Sequence, residues 1–532
     1  MDDSTDKSKP KSIHTFMWPF RWSAEANNSK DILASFSDCL LKDVKWKEEG
    51  FKLSNPQHYN EYVYYHSHVR DTLYANADNK ETIRYFNYQI NKKETFEFEV
   101  IDENEENGLK HFNLEIKNIS LHIFFTGVGI LTFQLENNNY TTIGEIQLIN
   151  DFGRRTYPQY LGNGSQENQK GVNATKRSFL PKNIKVSYCE EKETFESFNK
   201  YENINLHQII QPPAYIKSLF CNDFVFSEKT CWDETKITIT HLTDDRMYTL
   251  CWYPNELLSR KLKAKSKASN YKEYMFLGNP DWYKLIFCDS KNGLTCQSDI
   301  MLRQHTLDYT YDRWVNYGTL YGITRDCLFC LTDEGDFARD AILLHMRSVY
   351  YQMAILCLAQ RASVQKISYD LTQTLKELDG NKLNSTQTKQ AVSIQTMYLK
   401  FNNLLSFKEV TDQIQGIEMY QKMQVAMGIQ GITDQLDREI EELHSLLNMD
   451  ESIKLSEEAN LISRIAMYTV PASLVMALFA LFSGDLVFSS SYDISPGRSY
   501  AIVLLVAVSV ITLLSGKWII SKTINKTIRK NE

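Results

Sequence analysis

At 532 residues with a formal net charge of -7, the chain is long enough for a large soluble part plus a membrane hairpin, and its balance argues against a nucleic-acid-binding surface. The polar start MDDSTDKSKPKS has no apolar h-region, so no signal peptide is expected. Ten cysteines in a chain expected in the cytoplasm read as reduced, and the one CxxC, Cys327 with Cys330, lacks the second pair that zinc needs and reads as a buried strand.

In chain order, Phe16, Trp18, Phe20 and Trp22 come first, an aromatic run expected to dock into its own domain, with a membrane or partner contact as the alternative. Residues 1–337 show short strands and frequent turns, the pattern of a mixed α/β domain. TFEFEV (95–100), FNLEIKNISLHIFF (112–125) and ILTFQLEN (130–137) alternate apolar and polar residues as half-buried strands do. Gly127 and Gly129 between the last two predict a bulge or tight turn where backbone comes close to something else.

A short amphipathic helix through Ile143, Ile146 and Ile149 is predicted to end near Asn150, just before the pair Arg154 and Arg155. Doubled guanidiniums beside aromatics hold phosphate or carboxylate groups with bidentate hydrogen bonds, and they equally pair with neighbouring acids; both readings stand. After the polar loop 162–177 come three further predicted strands, KITITHL, MYTLCWY and YKLIFCD. The stretch 307–331 then gathers Tyr309, Tyr311, Arg313, Trp314, Tyr317, Tyr321 and Arg325 around Gly318 and Gly322. Such residues sandwich an adenine ring and clamp a phosphate, or pack the strands that close a domain. The candidate ligand-binding set is Arg154, Arg155, Arg313, Trp314 and Tyr321.

From 338 the pattern is helical. Residues 338 to about 376 read as one long amphipathic helix, 388 to about 406 as a second, and a third begins near Val410, with a seam of Ile432, Leu436, Ile440, Leu443 and Leu447. This predicted stalk, 338–462, leads into a predicted transmembrane hairpin, 463–521. Ile465 to Gly484 runs twenty residues without a charge, and Tyr500 to Gly516 is a second apolar run. Lys517, Lys522, Lys526, Arg529 and Lys530 follow it, the last four in or beside a basic tail (522–532), while the connecting loop has only Arg498. That asymmetry predicts a multi-pass protein of the inner (plasma) membrane with both termini in the cytoplasm. The expected fold class is therefore an α+β membrane protein: a large cytoplasmic mixed α/β domain, a long helical stalk and two C-terminal transmembrane helices.

At 100° per residue, Glu458, Ile462, Thr469, Ser473, Met476, Ala480 and Ser483 fall within about 40° of one line. Such a stripe lines a pore made by several copies of the helix, or packs helices tightly through small residues. Asp485, at the outer end of the span, would form a cation-attracting carboxylate ring in a symmetric assembly. No GxSxG, HExxH or Walker A sequence is present, so neither catalytic residues nor metal ligands are assigned and the chain is not read as an enzyme.

The long helix, the segment EVTDQIQGIEMY, the two apolar runs and the basic tail together resemble the CorA family of metal-ion transporters. That resemblance implies a homopentamer whose first spans line the pore and whose soluble domains gate it. Where the family carries Gly-Met-Asn, this chain reads Ala480-Leu481-Phe482-Ser483-Gly484-Asp485, which leaves the transported cation open. FFTGVGIL, INDFGRRTYPQYL and RWVNYGTLYGITR are similar to CorA-like proteins of type III CRISPR loci. That similarity implies an antiviral membrane effector opened by a nucleotide second messenger, in one group a conjugate of S-adenosylmethionine and AMP. The expectation is a ligand-gated channel needing no cofactor, whose partners are the lipid bilayer, copies of itself and an adenine nucleotide, with no nucleic acid. Its alternatives are a constitutive divalent-cation (magnesium-type) transporter gated by the metal, and an enzyme or scaffold anchored by a hairpin.

Overall fold

A computed structural model describes residues 10–24, 32–157, 180–189, 192–197, 211–227, 236–376 and 383–488, a few single positions apart. The chain divides into two compact units, one of residues 1–376 with 390–440, the other of 377–389 with the chain from Glu441 onward.

The first unit is built on a single mixed sheet of 14 strands. Its centre is β1 (Ser12–Ala24), which runs antiparallel to β6 (Val128–Asn137) along Ser12 to Arg21. On the other side β1 changes partner. Ile13 to Met17 pair with β11 (Tyr248–Pro254), and Phe20 to Ala24 pair with β10 (Ile237–His241). Pro19, which has no N–H to give a neighbouring strand, falls in the gap between the two partners. Outward from β6 lie β5 (Leu109–Phe124), β4 (Thr95–Ile101), β7 (Asn183–Cys189) and β8 (Lys192–Ser197); β3 (Ile83–Tyr88) also pairs with β5 and carries β2 (Trp46–Glu48). Outward from β11 lie β14 (Cys327–Thr332), β13 (Leu320–Ile323) and β12 (Thr310–Tyr311), and β9 (Phe224–Phe226) pairs with β10.

Side chains alternate across a strand, so Phe16, Trp18, Phe20 and Trp22 share one face of β1, and all four are buried. The expectation that the aromatic run docks into its own domain matches this placement. The β5–β6 hairpin turns at Gly127, whose φ of 79° lies in the left-handed region. Two residues on, the Phe20 ring lies flat against Gly129, where a Cβ would stand 2.3 Å from the ring.

Helices cover both faces. Short α1 (Ile32–Leu40), α2 (Pro56–Tyr64) and α3 (Ser67–Leu73) precede α4 (Ile143–Gly153). The start of α4 is fixed by a capping box, Thr142 accepting from the Glu145 amide while the Glu145 carboxylate accepts from the Thr142 amide. Its end rests on β1, because a Cβ at Gly153 would lie 2.8 Å from Phe16 Cζ. Next come α5 (Ala214–Lys217), α6 (Glu256–Lys263), α7 (Pro280–Phe287) and α8 (Asp299–Asp308). The stretch YKLIFCD, expected as a strand, is instead the body of α7, nucleated by the Asn279 side chain capping the Trp282 amide and by Pro280 at the first helical position.

A π-turn (Ala338–Ile342), α9 (Leu343–Arg347) and α10 (Val349–Leu375) follow, where one unbroken amphipathic helix was expected. The chain breaks at Ser348, with φ -121° and ψ -95°. α10 packs on β6 and β1, its Tyr351 hydroxyl bonded to Ser120 and its Ser363 hydroxyl to Thr126. Ser120 pairs with Thr132 and Thr132 with Met17, whereas α4 meets Phe16, so α4 and α10 lie on opposite faces of the sheet. Then come α11 (Ser385–Leu404), α12 (Ile414–Ala426) and α13 (Ile429–Phe488); Gly428, with φ of 65°, separates the last two where one helix was expected.

The expected fold class is corrected by this architecture. In place of a membrane fold with a long stalk and two C-terminal transmembrane helices, the described chain is a large mixed sheet. Among the described residues one helical stretch, Ala338–Leu375, is long and apolar enough to cross a bilayer, and 67% of its apolar window is buried inside the protein. The physical reason is that a sheet face and a bilayer make the same demand on a helix. Residues around α10, from Met353 and Ala354 to Leu358 and Ala359, are apolar because β1, β6 and neighbouring helices surround them. The expected second span, Tyr500–Gly516, lies outside the described residues, and the backbone of the expected first span belongs to α13.

Candidate functional site

The segment after α4 is held along the loop that joins β10 to β11. The Met247 amide donates to the Arg154 carbonyl at 2.9 Å, and the Thr156 amide to the Asp245 carbonyl at 2.8 Å. The place is the edge of the gap where β1 exchanges β11 for β10, and it collects charge from several elements.

Arg155 is satisfied. It donates to the Asp151 carboxylate at 2.9 Å, to the Asp151 carbonyl at 3.2 Å and to the Asp245 carboxylate. Arg246 takes Asp244, with Nε 2.9 Å from Oδ2, and reaches Asp326 at 3.6 Å. Burial pushes the Asp244 carboxyl up, but hydrogen bonds and charge from Arg246, with the charge of Arg154, outweigh it and hold Asp244 below the usual carboxylate range. At Asp245 burial wins over Arg155 and its carboxyl is raised.

Arg154 is a different case. Only 1% of it is exposed, and among the described residues its one side-chain hydrogen bond runs from Nη2 to the Cys288 carbonyl at 3.4 Å. Nε and Nη1 have no partner. Cys288 ends α7 in the left-handed region, with φ of 47°. Its thiol donates to the Leu285 carbonyl at 4.0 Å, and the neighbouring Cys327 thiol, with the nearby Arg154 charge, outweighs burial and holds Cys288 below the ordinary thiol range. From the opposite face, α10 brings Arg361, which is 9% exposed and whose side chain makes no hydrogen bond or ion pair with a described residue. Burial, then the charge of Arg325, depress its pKa, while Asp326 and Asp244 work the other way.

The second expected group lies elsewhere in the same unit. Arg313 donates to both Glu418 oxygens of α12, at 2.7 and 2.9 Å, and stands 5.5 Å from the Trp314 ring. The Tyr311 hydroxyl donates to the same carboxylate, and that bond, ahead of the Arg313 contacts, keeps the Glu418 carboxyl below its usual range. Tyr321 is 2% exposed and packs edge-on against Tyr350, with centroids 5.6 Å apart. Among the described residues no hydrogen bond, ion pair or ring contact joins Arg313, Trp314 or Tyr321 to Arg154 or Arg155, so the structure brings the five candidates together as two groups.

Of the candidate pore residues, Ile462, Thr469, Ser473 and Met476 are all exposed on α13. Ala480, Ser483 and Asp485 belong to the same helix by backbone, and their side chains lie outside the described residues.

Sequence reasoning missed Arg361 and the Asp244-Asp245-Arg246 loop. A signal for the first existed: Arg361 is the one charge in the apolar run AILCLAQRASV, and a lone cation there must meet a buried acceptor. No protein-family model matches the chain, and no curated protein matches it.

Proposed function

We propose that this chain is a membrane effector that opens a path for cations when a ligand binds its sheet unit, copies of α13 packing side by side to form the path. The observation that carries this reading is α13 itself. Of its 60 residues, Leu436, Ile440 and Leu443 near the start are buried, whereas Ile462, Met467, Tyr468, Val470, Leu474 and Met476 are all exposed. At 100° per residue these six point to every side of the helix. A helix apolar all round is stable only where lipid or other apolar surface surrounds it, since each such side chain gains about 1.5–3 kcal/mol on leaving water. Thr469 and Ser473 lie in that same stretch, and hydroxyls at membrane depth turn toward protein or water.

A pentamer, the S-adenosylmethionine–AMP conjugate as ligand and an antiviral role enter this proposal from the family resemblance, and an inner-membrane location from the basic tail. The linkage requires only that the ligand bind the open arrangement better than the closed one; a preference of about 10⁴ moves a mostly closed population to mostly open. The test is cation flux from liposomes carrying the purified full chain, with and without the S-adenosylmethionine–AMP conjugate. Flux that appears only with the nucleotide is expected. Equal flux without any nucleotide sinks the ligand-gated reading in favour of a constitutive transporter, and no flux in either case sinks the channel.

A further inference from the structure

The chain as a whole carries a formal charge of -7, yet residues 257–272 hold six cations, Arg260, Lys261, Lys263, Lys265, Lys267 and Lys272, and no acid. Two of the six are answered by acids outside that run: Arg260 donates to Glu256 at 2.7 Å and Lys261 to Asp281 at 3.1 Å. Lys265 stands 5.2 Å over the Tyr274 ring. The next acid in the chain, Glu273, is taken by Arg303. Lys263, Lys267 and Lys272 make no ion pair with a described residue, and the last two are exposed.

Hydrogen bonds gather this charge on one surface with exposed aromatic rings. Beyond α6 the chain doubles back, the Ser266 amide donating to the Glu273 carbonyl at 2.7 Å and the Met275 amide to the Ala264 carbonyl at 2.8 Å. At the tip of this excursion Asn270 and Tyr271 are both left-handed, with φ of 53° and 62°, a conformation that residues other than glycine rarely adopt. The bend leaves the Tyr271 ring 59% exposed between Lys267 and Lys272. The turn Val315–Tyr317 is fastened to the same excursion and to α6: the Tyr274 hydroxyl donates to Asn316 Oδ1 at 3.0 Å, and the Ser259 hydroxyl to the Gly318 carbonyl at 2.7 Å. A Cβ on Gly318 would stand 3.5 Å from Lys263 Nζ. Tyr317, at 74% exposure, and Trp314, at 36%, therefore stand beside the lysines. Asp312 is exposed nearby and opposes only part of their charge.

We infer that this surface docks on a bilayer that contains anionic lipid. Lysines gain from the negative potential of such a leaflet wherever they meet it, while Tyr and Trp rings settle at headgroup level. A single-stranded nucleic acid also joins cations to rings, but it needs ring faces laid along a groove for successive bases to stack on. Here the Trp314 and Tyr317 rings are tilted 50° to each other, and the Tyr274 face is covered by Lys265. The surface belongs to the sheet unit and uses no residue of α13, so the inference goes beyond the channel reading and does not rest on it.

The experiment is sedimentation of the purified full chain with preformed vesicles, of phosphatidylcholine alone and of phosphatidylcholine with phosphatidylglycerol. It is repeated with the double variant Lys267→Gln, Lys272→Gln and with Tyr317→Ser, all at exposed positions where the fold is not at risk. Tighter binding to the anionic vesicles is expected, falling by about thirtyfold in the double variant, equivalent to ~2 kcal/mol. That preference should fade as salt rises. Tyr317→Ser should weaken binding at every salt concentration, because what it removes is apolar contact. Equal binding to the two kinds of vesicle overturns the inference, and so does a double variant that binds like the wild type. A single-stranded oligonucleotide that binds more tightly than the anionic vesicles, through the same lysines, makes the partner a polynucleotide and also overturns it. Anionic preference without cation flux would leave this surface standing and remove the channel; flux without any lipid preference would do the reverse.

Discussion

Two histidines of the sheet are buried neutral, and they make its stability depend on pH. His14 Nδ1 donates to Asn150 Oδ1 over 2.7 Å, and burial lowers its pKa to about 4 in spite of that bond. His122 has no partner on Nδ1, lies between the rings of Tyr85 and Tyr351, and is lowered by burial to about 3. Above the ordinary histidine pKa of about 6.5 both states are neutral and nothing is lost. As pH falls below it the unfolded chain takes up protons that the folded one refuses, so stability declines down to the folded pKa. Denaturant unfolding should show a loss of roughly 2 kcal/mol per histidine between pH 8 and pH 5. His122→Phe should remove about half of that slope; an unchanged slope would place the titration elsewhere. Arg154 and Arg155 make the same point about reading residues. The doublet was visible in the sequence with both of its meanings, and neighbours in space divide them: Asp151 and Asp245 occupy Arg155, while Arg154 has a single carbonyl.

Among the elements, those with strict alternation were readable and those governed by a cap or a break were not. TFEFEV, FNLEIKNISLHIFF and ILTFQLEN became β4, β5 and β6, since a period of two leaves few alternatives. YKLIFCD has an equally apolar run, but Asn279 and Pro280 ahead of it set a helix. α10 was read as part of one long amphipathic helix; it packs on the sheet, where Ser120 of β5, Thr126 of the β5–β6 turn and Arg21 of β1 each engage it, Arg21 by stacking 3.4 Å over the Tyr369 ring. A core helix of this kind is sensitive to cavities. Leu356→Ala, at a fully buried position, is expected to cost about 2–5 kcal/mol in chemical unfolding. A cost below ~1 kcal/mol would mean that α10 is not enclosed.

For the whole molecule, the expectation most altered is where the apolar helices belong. The expected stalk helix at 338–376 is a core helix that serves the sheet, the expected second span lies outside the described residues, and the first falls on α13, where Met467, Val470, Leu474 and Met476 are exposed. If α13 enters lipid, a lysine at its centre carries a penalty of about 2.5–3.5 kcal/mol. Leu474→Lys should therefore lower the fraction of full chain that floats with liposomes, whereas Leu257→Lys, at an exposed position on α6, should not. Equal flotation of the two variants would argue that α13 is covered by protein alone.

The position of β1 also has a kinetic side. Its neighbours β6, β10 and β11 all come later in the chain, and β11 is completed by β14, which pairs with it in parallel from Cys327 onward. During synthesis the ribosome delivers the aromatic strand first and its last supporting strands some three hundred residues afterwards. At the ordinary pace of about 5–20 residues per second, Phe16, Trp18, Phe20 and Trp22 wait for tens of seconds with one strand edge unpaired. A nascent chain in that condition is the kind that a ribosome-bound chaperone shields, and its yield should depend on that shielding more than on the stability of the finished sheet.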